Sequence, residues 1–470
     1  MLRAFPRLIR TTPIAGWLGG ALLVLATCSA CGRESTGGAS DDAGTGGATN
    51  GSSGAGTDGG SGATGGSAGG SGQDDAILDW PTQTTVACSV TAPLAKLGLD
   101  PWLPGGLAVT ENGAFLTRAQ GDLPMDELLV SSLDLDGALG ASIPIAQALD
   151  SSYFGLPDSS ATAQRIVLAW AMTDAQGLGH LYYAELDADG GVALPPQELS
   201  GVHSYLDAPK VALGPDTRAV LYAESDPNMV ERKVMLALLD ADGAELGAAK
   251  TLYEGADFVW SEGIVALPSG FAAAYTRRTN EGTIPYLAFF DAQANQEGDP
   301  IALPNAGDYV YVHASLLVRG DELVMAWVQR SGGYATSDVA AVVMLARFDV
   351  ASRELVAGPL PLMAPVVDQE DTAPELVALG DDLGVAWSEG SVIYVCGGCM
   401  PDNHLRFVVL DGDDFSPKSE VLVLDNQQPM GGFVDSDLAL VDGDLLVTAT
   451  LEYHVTGEGA FARIHCQPLP

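Results

Sequence analysis

Seven copies of one short pattern run from about Gly106 to the C-terminus, and this self-similarity constrains the fold more than any other feature of the chain. Each copy has an apolar stretch such as VALG, a turn, and a second stretch closing on a position that is usually aromatic, as in LAW or VAW. A third, alternating stretch then ends in Leu-Asp or Phe-Asp. The closing position falls at Arg118, Trp170, Tyr222, Tyr275, Trp327, Trp387 and Ala449, with spacings of 52, 52, 53, 52, 60 and 62 residues. An acidic corner keeps step at Asp134, Asp187, Asp240, Asp291, Asp349 and Asp411. Short strands repeating about every fifty residues are the signature of a β-propeller. The expected fold class is therefore all-β: a single propeller of seven four-stranded blades, with no helix longer than about two turns.

The seventh copy supplies strands near 437–441, 445–451 and 460–466, and the chain ends at Pro470 before a fourth. Upstream of the first copy lies an unassigned β-prone run, residues 82–90. The economical arrangement puts this N-terminal strand on the outer edge of the last blade, pairing residues near Val86–Val90 with Phe461–Cys466 so that the two ends lock the ring. Cys88 and Cys466 then lie on adjacent strands and are expected to form a disulfide, and Cys396 is paired with Cys399. The Cys396-Gly-Gly-Cys399 spacing also admits redox or zinc chemistry. Against these stand its place between strands, away from any helix N-terminus that would lower a thiol pKa, and the presence of only His404 as a nearby further ligand.

Three corners read Asp-x-Asp-Gly, at Asp134–Gly137, Asp187–Gly190 and Asp240–Gly243, a string that invites a calcium reading. A calcium loop needs further oxygens at fixed later positions, and the residues after each glycine do not supply them. Hairpin turns account for the string, with Asp accepting from turn amides and Gly taking a positive φ. No metal and no cofactor is expected. The six histidines have no ligand spacing, and the nucleophile-elbow, zinc-protease and phosphate-loop motifs are absent from the sequence.

The chain has 21 Lys and Arg against 61 Asp and Glu, a formal net charge of −40. Such a surface repels nucleic acid and anionic headgroups, so binding by phosphate neutralisation is excluded. Solubility explains the charge, and affinity for cationic or basic partners is the functional alternative.

Arg3, Arg7 and Arg10 precede an apolar run from Ile14 to Ala26, followed by Cys28-Ser29-Ala30-Cys31-Gly32. A basic segment, a short apolar run and small residues before a cysteine describe an exported protein. The segment resembles a bacterial lipoprotein signal peptide, spanning residues 1–30, and the resemblance implies lipidation of Cys31, with Cys28 as the alternative register. Gly32 is not the Asp that signals inner-membrane retention, so the resemblance implies an outer-membrane lipoprotein, facing the periplasm or the cell surface. Residues 31–75, dominated by Gly, Ser, Ala, Thr and Asp, are expected to form a disordered tether. Its Gly37–Gly72 stretch would have a root-mean-square span of roughly 30–36 Å. Residues 76–470 are the propeller, and the repeats resemble those of propeller lipoproteins of Gram-negative bacteria. The membrane would be contacted through the lipid alone, and a monomer is expected.

In a propeller, the loops leading into the innermost strands gather at one mouth with the loops joining second to third strands. Tyr205, Asp207, Asp257, Trp260, Asp308, Tyr311, Asp371 and Asp435 fall there, mixing acids with rings. Such a mouth suits a glycan, a cationic ligand or a protein partner, with rings stacking and carboxylates accepting hydrogen bonds. The reading that follows is a binding or interaction module of unknown ligand. A polysaccharide-active hydrolase or lyase, working through two mouth acids, is the alternative.

Overall fold

The computed structural model describes residues 84–469 except 98–101, 121–126, 149–152, 156, 204, 207, 227, 229, 281, 305–312, 332–339, 364–368, 392–403, 425–432 and 454–455. These residues form seven four-stranded antiparallel sheets arranged as a β-propeller, and none of the described residues is helical. Blade 1 runs through Trp102–Thr110, Gly113–Gln120, Glu127–Leu133 and Leu139–Gln147. The second strands of blades 2 to 7 are Arg165–Thr173, Arg218–Ser225, Gly270–Thr279, Glu322–Ser331, Asp382–Ser391 and Asp444–Tyr453. The innermost strands are irregular: those of blades 2 and 3 are each broken into two pieces, and those of blades 1, 4, 6 and 7 carry register shifts. At the outer edge, the fourth strands of blades 4 and 6 shrink to Ile301–Ala302 and Leu422–Val423. Just before the latter, the Ser419 hydroxyl accepts from the Val409 amide at 2.9 Å. Short edges of this kind give little backbone for another chain to pair with.

Seven clusters of buried apolar side chains fill the seven seams between neighbouring blades. The repeating aromatic position explains them. Trp170, Tyr222, Tyr275, Trp327 and Trp387 are all buried, each in the seam between its own blade and the preceding one. Where the repeat departs from an aromatic, the packing changes. Arg118 is buried, and its guanidinium donates to the hydroxyls of Ser131 and Ser142, both at 2.8 Å. Among the described residues, Ala114, Leu133, Leu446 and Phe461 are the fully buried members of the apolar cluster in the seam between blades 7 and 1.

That seam is reinforced by other means. The fourth strand of blade 7 is Val86–Lys96, antiparallel to Thr456–Pro468, with Cys88 opposite Cys466 and Val90 opposite Ile464. The expected pairing of residues near 86–90 with 461–466 is thus present and extends on to Lys96 opposite Ala460. The Cys88 and Cys466 sulfurs lie 2.05 Å apart, with Cα atoms 4.1 Å apart. Arg463 of blade 7 also reaches the acidic corner of blade 1, donating to the Leu135 carbonyl at 2.9 Å.

The corners themselves are hairpin turns. Asp134 Oδ1 accepts from the amides of Asp136 and Ala138, Asp187 Oδ1 from Asp189 and Gly191, and Asp240 Oδ1 from Asp242 and Ala244. The following glycines have φ of +82° at Gly137, +82° at Gly190 and +79° at Gly243. They are needed twice over. A Cβ at Gly137 would sit 2.5 Å from the Phe461 ring, one at Gly190 2.7 Å from Phe115, and one at Gly243 2.3 Å from Leu194. Each corner is therefore a latch received by the preceding blade.

Candidate functional site

Strands alternate in direction within a blade, so the two faces of the ring carry different loops. Hairpins joining first to second and third to fourth strands open on one face. Loops joining second to third strands, and the connections between blades, open on the other, which is the mouth the sequence predicts.

Of the predicted mouth residues, Asp207, Asp308 and Tyr311 lie outside the described residues, as do Cys28, Cys31, Cys396 and Cys399. Tyr205, Asp371 and Asp435 occupy the mouth-side ends of innermost strands, opposite Ser225, Glu389 and Thr450. Asp257 and Trp260 are brought together at the seam of blades 3 and 4, in a cluster whose other members the sequence reading missed.

Asp257 Oδ2 accepts from the Tyr253 hydroxyl at 2.8 Å and from Arg277 Nη2 and Nε at 2.8 and 3.2 Å. The Arg277 guanidinium lies 4.2 Å above the Tyr253 ring and donates to the Tyr286 hydroxyl at 3.3 Å. Partial burial works against the charged carboxylate, but the bonds from Arg277 and Tyr253 outweigh it and hold Asp257 below the usual carboxylate range. Two residues on, the Phe258 and Trp260 rings stack at 6.1 Å, and the Arg232 guanidinium sits 3.6 Å from the Phe258 ring centre. Arg232 is itself fixed by a 3.0 Å bond to the Ala256 carbonyl. Phe258 remains 48% exposed, so the seam presents an aromatic surface backed by ordered cations.

Below the mouth, the innermost strands carry polar residues at matched positions, Asp158, Lys210, Ser315, Glu375 and Asp437, and blade 4 carries Glu262 at the bulge beside that position. Several of them tie neighbouring blades together. The Val211 amide donates to Asp158 at 2.7 Å, the Ala314 amide to Glu262 at 3.4 Å, and the Ser315 hydroxyl to Glu375 at 3.0 Å. Their spacing follows the repeat period, a signal that was present in the sequence. Among the described residues, no group of three or more His, Cys, Asp or Glu side chains is placed to hold a metal ion.

The opposite face holds a cavity of about 540 Å³, widely open to solvent, where the first hairpins of blades 2, 3 and 4 meet the innermost strand of blade 5. Leu213, Pro215, Leu267 and Pro268 supply apolar walls, and Arg165 and Arg218 stand on one side. Behind the arginines is Glu185, only 1% exposed. Its Oε1 accepts from Arg218 Nε at 2.7 Å and the Tyr183 hydroxyl at 2.6 Å, and its Oε2 from Arg165 Nη1 at 3.2 Å and Arg218 Nη2 at 3.3 Å. Burial and the adjoining Glu185 carboxylate push the Tyr183 phenol well above its ordinary pKa.

No protein-family model and no curated protein matches this chain. Solved structures with a similar arrangement include the subtype N10 neuraminidase-like protein of A/little yellow-shouldered bat/Guatemala (8% identity, 82% of this chain and 100% of that one, TM-score 0.42). Another is the GH93 α-L-arabinofuranosidase of Fusarium graminearum (10% identity, 82% and 96% covered, TM-score 0.41). The WD40 domain of SCAP from fission yeast is a third (10% identity, 79% and 98% covered, TM-score 0.37). Likenesses at these scores carry no argument about ligand or reaction.

Proposed function

We propose that this chain is an exported, lipid-anchored propeller that serves as a binding or interaction module. Its N-terminal segment would be cleaved and Cys31 acylated, as the signal-peptide resemblance implies. One observation carries the binding assignment: the rigid ring pair at the seam of blades 3 and 4. Phe258 and Trp260 are stacked, backed by Arg232 and flanked by the Asp257–Arg277–Tyr253 network. Pre-ordered aromatic groups lose little entropy on binding and offer flat apolar area to a sugar ring or an apolar side chain. Asp257, whose Oδ2 accepts from both Arg277 and Tyr253 and whose pKa is held low, braces this surface and is poorly suited to proton transfer.

The test is a glycan and peptide array probed with the purified protein and with a Phe258→Ala/Trp260→Ala variant. Binding to at least one class is expected, weakened about 30-fold in the variant, the size of a loss of about 2 kcal/mol at a hot spot. Equal binding by the two proteins would remove the ring pair from the site, and turnover of an arrayed polysaccharide would replace the binding assignment with catalysis.

A further inference from the structure

The cavity on the face opposite the mouth has the chemistry of a ligand site. It combines apolar walls with cations in a protein that otherwise bears a net charge of −40. Two of the 21 basic residues of the chain line it together. They occupy the same place in successive repeats, Arg165 opening the second strand of blade 2 and Arg218 that of blade 3.

The two arginines are not equivalent. Arg218 is 8% exposed and committed to Glu185 through Nε and Nη2. Arg165 is 44% exposed and gives Glu185 only Nη1. The two guanidiniums share the one buried Glu185 carboxylate. Nε and Nη2 of Arg165 make no hydrogen bond with any described residue, and together they form a donor edge of the width that a carboxylate accepts in bidentate fashion. Glu185 and Arg218 fix that edge in place from behind. Leu213, Pro215, Leu267 and Pro268, which line the same cavity, offer an uncharged apolar surface.

We propose that this cavity binds a small amphipathic carboxylate, with Arg165 pairing the carboxylate and the proline- and leucine-lined wall covering its apolar body. The site is separate from the mouth rings and does not depend on them. A volume of about 540 Å³ admits a two-ring or medium-chain acid with room to spare. The large negative charge of the whole protein disfavours simple inorganic anions, so the apolar body is required for binding.

The experiment uses the full mature protein in ligand-observed NMR and calorimetry, with 2-naphthoate as probe and neutral 2-naphthamide and inorganic phosphate as controls. A dissociation constant of roughly 1 mM is expected for 2-naphthoate, from the efficiency typical of small ligands. Naphthamide and phosphate should each bind at least about tenfold more weakly, since each lacks one half of the recognition. Arg165→Ala should weaken 2-naphthoate by about tenfold or more and leave the melting temperature near wild type, because its side chain is half-exposed and Arg218 keeps the Glu185 pair. Arg165→Lys should recover only part of that loss. Absence of 2-naphthoate binding, equal binding of the amide or of phosphate, or unchanged affinity in Arg165→Ala would each overturn the proposal.

Discussion

Removing one sulfur of the terminal bridge tests how the ring is closed. Cys88 and Cys466 are 378 residues apart, so their bond encloses nearly the whole propeller in one covalent loop. The chain-entropy relation for a loop of that length gives about 6 kcal/mol at 25 °C, just above the roughly 5 kcal/mol at which measured values end. Taking about 2.1 cal/mol/K of unfolding entropy per residue over the 395 residues from 76 to 470, a loss of 4–6 kcal/mol lowers the melting temperature by about 5–7 °C. Cys88→Ser should therefore melt about 5–7 °C below wild type under oxidising conditions, read by calorimetry. In excess dithiothreitol the two proteins should melt together, because the wild type then lacks the bridge as well. Any other disulfide in the chain reduces equally in both and drops out of the comparison. Maleimide should label Cys466 in the unreduced variant and not in unreduced wild type. A persistent gap between the two proteins in reductant would refute the entropic argument and leave a packing role for Cys88. Coincident melting in both conditions, with Cys466 already reactive in wild type, would refute the bridge.

Two further outcomes follow from the turns and the charges. Gly137→Ala should be destabilised by about 1–3 kcal/mol more than Gly177→Ala in chemical denaturation. Both force alanine into a positive φ, of +82° and +79°, but only the first drives a methyl into the Phe461 ring, whereas Gly177 has open space. Equal costs would show that the latch is loose. His180 bonds to Glu198 at 2.7 Å and Asp174 at 3.2 Å, and the Glu198 bond, opposed by burial and helped by Asp174, raises its pKa above 6.5. A raised folded-state pKa stabilises fully below the unfolded value near 6.5, and the benefit disappears as pH climbs through the folded value. His180→Gln should thus lose stability relative to wild type at pH 5.5–6.5 and converge with it at high pH, and a pH-independent difference in melting temperature would contradict this.

The periodic parts of this molecule were legible because each repeat solves the same packing problem. Trp170, Tyr222, Tyr275, Trp327 and Trp387 recur since five of the seven seams are filled by one large ring at that register, and Asp134, Asp187 and Asp240 recur since their corners need a turn acceptor. Even the exceptions were informative: Arg118 and Ala449 broke the pattern where the seam core changes character. The missing fourth strand and the spare upstream run identified the closure for a similar reason, since an unpaired edge has to be covered. What recurs only once could not be read this way. Nothing along the chain links Asp257 to Arg277, 20 positions on, or Glu185 to Arg218, 33 positions on, because charge pairing across strands depends on rotamers and register and leaves no period. The cavity behind Arg165 was invisible for the same reason. The repeat did hold a trace of it, in two arginines one period apart, but identical spacing also describes the uncharged Gly113 and Gly270 that stand at the same place in blades 1 and 4.

The position of the terminal bridge also decides how the molecule bears force. Among the described residues, a load applied between the two chain ends acts first on the bond from the Leu469 amide to the Thr85 carbonyl, at the tip of the closing strands, and then on the facing pair Val86 and Pro468. Peeling can advance through Val86 and Ala87 and then reaches Cys88, where the next connection is covalent. Further tension is carried by the sulfur bridge, and the hydrogen bonds behind it, from Ser89 to Lys96, are shielded. Reduced, the same strand would open one ladder bond at a time, as a zipper does, and the ring would part at its seventh blade.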